Sequence, residues 1–114
     1  MNCSYSRVLI YDRTIKLLRG LGIPASSKGN VAVAEAVYQH LLNPGMIYGM
    51  WVSHILPEVG EKVECSASAA EALIVRTAKA AWLAESCREV LGLPADAARP
   101  RARDFVMLLS EGIK

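Results

Sequence analysis

The sequence is poor in the residues that site chemistry requires. It holds two histidines, His40 and His54, and three cysteines, Cys3, Cys65 and Cys87, in 114 residues. A zinc centre needs such ligands in short, paired spacings, and these five offer none, so no metal is expected. An odd, dispersed set of cysteines without a secretory signal excludes a disulfide scaffold and points to a reducing cytoplasm. The thiols are expected to act as small apolar fillers, with Cys65 near a turn and partly exposed. There is no Gly-x-Ser-x-Gly elbow, no phosphate-cradling loop and no dinucleotide fingerprint. Lys28-Gly29 follows two serines but no strand, and His54 with Glu58 four residues on has the form of a structural pair. The expectation is a chain that is not an enzyme, with no cofactor and no small-molecule substrate.

Other absences narrow the class. The 8 glycines and 5 prolines show no period, which excludes collagen-like and low-complexity chains. A net charge of +2 is too small for strong non-specific polyanion binding. A hydrophobic content of 53% is too high for disorder, and the length suits one domain rather than two. The apolar run 8–11 stops at Asp12 and Arg13, too early for a signal-peptide core. Residues 36–57 contain no Lys, Arg, Asp or Glu. Asn43-Pro44-Gly45 halves that stretch, and Gln39, His40, Ser53 and His54 interrupt it. It falls short of the ~20 predominantly apolar residues of a membrane span, and no membrane partner is expected.

What is present is helical spacing, with no segment of period two. A first helix is predicted over 12–21, capped by Asp12, with Ile15, Leu18 and Leu21 as its apolar stripe; Gly22 and Pro24 end it. Residues 25–30 form a polar loop. A second helix over 31–42 carries Ala34, Val37, Tyr38 and Leu41 on one face. A third over 46–55 is apolar nearly all round, the pattern of a helix at the centre of a bundle. Pro57 opens a short helix over 57–63, 64–66 is a tight connection, and Ser66 caps the longest helix, to about residue 86. Its inward face holds Ala67, Ala70, Ile74, Ala78, Ala81 and Trp82; Ser68, Ala69, Ala72, Arg76 and Lys79 point away. A short turn over 88–91, a loop over 94–100 and a last helix over 101–111 complete one all-α domain of five or six helices. Within it, 57–86 has the form of a helix–turn–helix, which can lay its second helix in the major groove of DNA.

At these residues the chain resembles the C-terminal DNA-binding domain of the sporulation initiation factor, stage-zero sporulation protein A. The likeness runs through Gly22-Ile23-Pro24-Ala25, Lys28-Gly29 and Glu35-Ala36-Val37. It continues through Leu56-Pro57-Glu58-Val59, then Ser66-Ala67-Ser68 with Glu71 and Ile74, then Ala81-Trp82. It returns at Arg99-Pro100 and Asp104-Phe105-Val106. The ordered set spans about residues 12–113 and is more specific than any of its pieces. The resemblance implies a six-helix effector domain that binds double-stranded DNA, regulates transcription in sporulation and pairs in tandem on neighbouring sites. In the family it follows a phosphorylated receiver. With about eleven residues ahead of the first predicted helix, this chain is expected to act without one and without aspartyl phosphorylation in cis.

The departures from the family bear on specificity. Its reading helix carries arginines where this chain has Ala69, Ala72 and Val75. Arginine reads guanine O6 and N7 through two hydrogen bonds, and losing two such contacts removes roughly 2–6 kcal/mol of discrimination. Ser66, Ser68 and Glu71 remain, Arg76 stands where the family has His, and Lys79 follows one turn on. Glu71 is expected either to accept from a cytosine amino group or to be a surface acid near a helix N-terminus. Residues 55–91 hold six acids (Glu58, Glu61, Glu64, Glu71, Glu85, Glu89) and four bases (Lys62, Arg76, Lys79, Arg88), poor electrostatics for a phosphate partner. Bases gather instead at Arg13, Lys16 and Arg19 and at Arg99, Arg101 and Arg103; Arg99 and Arg101 are candidates for phosphate contact. Two functions follow: a DNA-binding regulator of altered specificity, or a homodimer or helical-partner module using the smooth face Ala69–Ala72–Val75–Ala80.

Overall fold

In the computed structural model, which describes residues 6–24 and 26–113, the chain is all-helical. Helix α1 (Arg7–Gly20) begins a turn and a half earlier than the spacing predicts. Ser6, not Asp12, is its cap, accepting from the Leu9 amide at 3.1 Å. Asp12 lies inside the helix and pairs with Lys16 at 3.2 Å. The correction follows from the buried stripe, which is Ile10, Thr14 and Leu18. Ile10 extends the i, i+4 series upstream of Asp12, while Ile15 is only half-buried. The Ile23 amide bonds back to Leu18 O and the Gly22 amide to Arg19 O, closing the helix.

Helix α2 (Lys28–Leu42) starts three residues before its expected place, because Ser27 caps it through the Gly29 amide at 3.1 Å. Lys28, Gly29 and Asn30 therefore belong to the helix and not to a loop; Ala25 lies outside the described residues, as does Cys3. This helix, not the third, is the centre of the bundle, packed on by α1, α4, α5 and α7. Ala32, Ala34 and Ala36 let neighbours approach from several sides, and 11 of its residues are buried. Its N-terminus sits close to α5: a Cβ on Gly29 would lie 2.1 Å from Thr77 Oγ1.

The predicted third helix is two pieces. Helix α3 (Met46–Gly49) is a single turn, and a π-helical turn (Trp51–Ile55) follows and runs directly into α4 (Leu56–Val63). The Ile55 amide reaches back five residues to Met50 O at 3.0 Å. In this turn Trp51 and Ile55 face inward while Val52 and Ser53 stay exposed. Tyr48, Met50 and Val52 are exposed too, so this segment is peripheral despite its apolar composition.

A three-residue turn, Glu64-Cys65-Ser66, joins α4 to α5 (Ala67–Trp82), as expected. Glu64 takes the left-handed conformation (φ 59°), and the Cys65 amide closes the turn on Gly60 O at 2.8 Å. Gly60 is packed against that turn: a Cβ there would lie 2.6 Å from Cys65 O. Ser66 caps α5 through the Ala69 amide at 3.1 Å. Helix α5 ends at Trp82, four residues short of its predicted end. A single-turn α6 (Cys87–Val90) and α7 (Ala102–Ile113) complete the chain. Five of these elements are two turns or longer. The core joins Ile10, Leu18, Val33, Val37, Ile55, Val59, Ile74, Phe105 and Leu109 from five helices and the π turn. No helix among the described residues is long and apolar enough to cross a membrane.

Candidate nucleic-acid interface

An α-helix advances 100° per residue, which divides α5 into four strips. Ala70, Ile74, Thr77, Ala78 and Ala81 face the core. Opposite them Ser68, Ala72, Lys79 and Leu83 form an open outer strip, with Ala69 and Arg76 beside it, all exposed. The expected inward and outward faces are therefore the observed ones, except that Ala67 and Trp82 are half-buried and Thr77 joins the core side.

Each edge of the outer strip borders a groove. On one edge Arg76 and Ala80 meet Lys28, Ser27, Pro24 and Gly29 at the start of α2. On the other, Glu71 and Val75 meet Arg99, Pro100 and Arg101 from the segment before α7. The fold thus brings Arg76 and Lys79 onto one helix and sets Arg99 and Arg101 across from its far edge. Ser66 is committed to capping, though exposed, and Ser68 is exposed in the first turn. The spacing of α5 alone did not find Lys28; its signal was the Ser27 cap, which turns an apparent loop residue into the first residue of a helix beside Arg76.

Glu71 is not a free surface acid. Its Oε2 accepts from the indole N–H of Trp51 at 3.0 Å, while its other carboxylate oxygen has no partner among the described residues. On that side of α5 the Arg88 guanidinium lies 4.4 Å over the Trp82 ring, and its Nε donates to Ala97 O at 3.1 Å. A cation stacked on an aromatic face and bonded to a loop carbonyl ties residues 94–100 to the end of α5.

Of the acids that made residues 55–91 look electrostatically poor, Glu71 borders this face. Glu58, Glu61 and Glu64 line a separate cavity with Lys62, Arg7 and Glu35. There Glu35, 2% exposed, accepts from Arg7, from the Tyr11 hydroxyl at 2.5 Å and from Gln39 Nε2 at 2.8 Å. The Arg7 guanidinium also stacks on Tyr38, 4.4 Å from its centroid. Burial, then the bond to Glu35, pushes the Tyr11 phenol well above its ordinary range. Arg7 is raised as well, first by its hydrogen bond to Glu35. Burial likewise raises the Cys87 thiol, while Cys65 is half-buried in the turn.

His54 and Glu58 form no ion pair, and among the described residues no three His, Cys, Asp or Glu side chains gather as a metal site. Compared with models of known protein families and with characterised proteins, the chain matches none.

Proposed function

We propose that the chain is a DNA-binding regulator-like domain. In this reading α4, the turn and α5 form a helix–turn–helix, and α5 enters the major groove with a specificity altered from that of the sporulation family it resembles. The observation that carries the reading is the open outer strip of α5 with cations on both of its edges, Lys28 and Arg76 on one and Arg99 and Arg101 on the other. A helix of 10–12 Å diameter fills a major groove ~12 Å wide. Basic side chains on both edges then stand where the two bordering phosphate backbones pass. Lys79 adds a fifth cation on the strip itself. The small side chains Ala69 and Ala72 permit close approach and contribute contact with thymine methyls instead of guanine readout. Glu58, Glu61 and Glu64 line another cavity, with Lys62 and Arg7, and not the two grooves that border α5.

Binding to duplex DNA across a salt series tests this. Each neutralised phosphate contributes about −0.9 to the slope of log affinity against log salt. Five cations predict a slope on the order of −4 to −5, and Arg76→Ala with Lys79→Ala should reduce it by about two. No binding to any duplex at ~50 mM salt, where phosphate contacts are strongest, overturns the proposal. One observation favours a second reading, a homodimer or helical-partner module. Leu83, 85% exposed, is a large apolar side chain at the end of the outer strip of α5, one turn beyond Lys79. Loss of self-association or partner capture in Leu83→Glu, with DNA binding absent, would select that reading.

A further inference from the structure

We infer that Trp51 is a positioning residue for base recognition: it holds Glu71 so that one carboxylate oxygen is fixed and the other is presented at the edge of the α5 outer strip. The inference rests on the DNA-binding reading and deepens it. Trp51 is 7% exposed, and an indole N–H, a donor only, must find an acceptor when buried. It finds Glu71 Oε2 at 3.0 Å, across from the π turn to α5. Trp51 and Ile55 both face inward from that turn.

A glutamate on a helix surface ordinarily samples many rotamers. Anchored at one oxygen, Glu71 keeps a single acceptor in the groove it shares with Val75, Arg99 and Arg101. No ion pair ties it to either arginine. An oriented carboxylate acceptor selects an exocyclic amino group, and in the major groove cytosine N4 is its usual partner. With Ala69 and Ala72 carrying no hydrogen-bonding side chain, the Trp51–Glu71 pair becomes the principal base discriminator on the strip. The flanking cations supply affinity without sequence information.

Selection of bound duplexes from a random pool, run with the wild-type chain, Trp51→Phe and Glu71→Gln, tests the assignment. Wild type should show one position with a preference for cytosine of roughly tenfold, the scale of a good base contact. Trp51→Phe keeps the ring but not the N–H; it should flatten that position while leaving the salt slope unchanged. Glu71→Gln keeps an acceptor for the indole but turns an amide donor to the groove, so it should move the preference away from cytosine toward bases that present an acceptor there, such as guanine or thymine. Thermal unfolding reports whether Trp51→Phe is folded. If it is not, the position-specific response of Glu71→Gln decides. In a Glu71→Ala background, Trp51→Phe should change base preference no further, which a merely structural tryptophan would not ensure. Unchanged preference in a folded Trp51→Phe, or in Glu71→Gln, overturns the inference while leaving DNA binding intact. Absence of wild-type binding overturns the DNA reading and the inference with it.

Discussion

Glu35, on α2, accepts from Arg7, Tyr11 and Gln39, whereas Glu71, on α5, accepts among the described residues from Trp51 alone. Both carboxylates meet an aromatic donor from a neighbouring element. The first is closed off, with donors to both oxygens and only 2% exposure. The second is half satisfied and borders a basic groove. A buried acid saturated with donors locks helices together, while an acid with one free oxygen at an open edge can serve a ligand. The chain thus places a structural polar cluster where α1, α2 and α4 meet and a presenting one where α5 leaves the core.

Truncation should separate the two most strongly. Glu35→Ala leaves Tyr11 and Gln39 without their acceptor and empties a buried position, at a cost of about 3 kcal/mol in folding free energy. Glu71→Ala strands the single buried indole N–H of Trp51, costing about 1 kcal/mol. Urea unfolding midpoints check both, and equal losses would break the contrast. Gly60→Ala should fall between them, at about 1–3 kcal/mol, because the added Cβ meets the Cys65 carbonyl at 2.6 Å and backbone cannot step aside. Since that turn sets α5 on α4, Gly60→Ala should lower DNA affinity for all sequences alike, whereas Glu71→Ala should lose affinity mainly for duplexes that carry the preferred cytosine.

These contrasts also mark how far the residues could be read in advance. The α4–turn–α5 boundaries, the Ser66 cap and the outward placement of Ala69, Ala72, Arg76 and Lys79 were legible, because they depend on local spacing and capping chemistry. The start of α1 was not: Asp12 and Ser6 are both good caps, and only the tertiary burial of Ile10 chooses between them. Centrality was misassigned for a related reason. The charge-free segment after Gly45 looks more buried than α2, yet α2 carries Glu35 inward because Arg7, Tyr11 and Gln39, up to 28 residues away, converge on it. The Trp51–Glu71 bond was illegible because it joins a π turn to a helix, and no period in the sequence encodes a π turn.

The cluster around Glu35 also predicts a pH signature, carried by Tyr11. Burial and the Glu35 bond raise Tyr11 above the ordinary phenol value near 10. The unfolded chain releases this proton first, so between the two pKa values the unfolded state binds fewer protons and stability falls as pH rises. The contribution is intact below about pH 10 and is lost progressively above it. Chemical denaturation from pH 8 to 11 should show that decline in wild type and a shallower one in Tyr11→Phe. Equal slopes would mean that the phenol is not held as the structure has it.

The smallest effect on stability carries the sharpest test of the open face. Lys28 is exposed at the first position of α2 and forms no ion pair among the described residues; Lys28→Ala should therefore change folding free energy by no more than about 0.5 kcal/mol. Its place in the groove with Arg76 predicts a loss of about one in the salt slope of DNA binding, spread evenly over sequences. Lys16→Ala is the matched control, because it removes an equal charge from α1, where the side chain pairs with Asp12 and borders neither groove beside α5. A screened, long-range attraction would respond to both lysines alike. A phosphate seated beside α5 responds to Lys28 alone, and equal responses would remove the α2 edge from the interface.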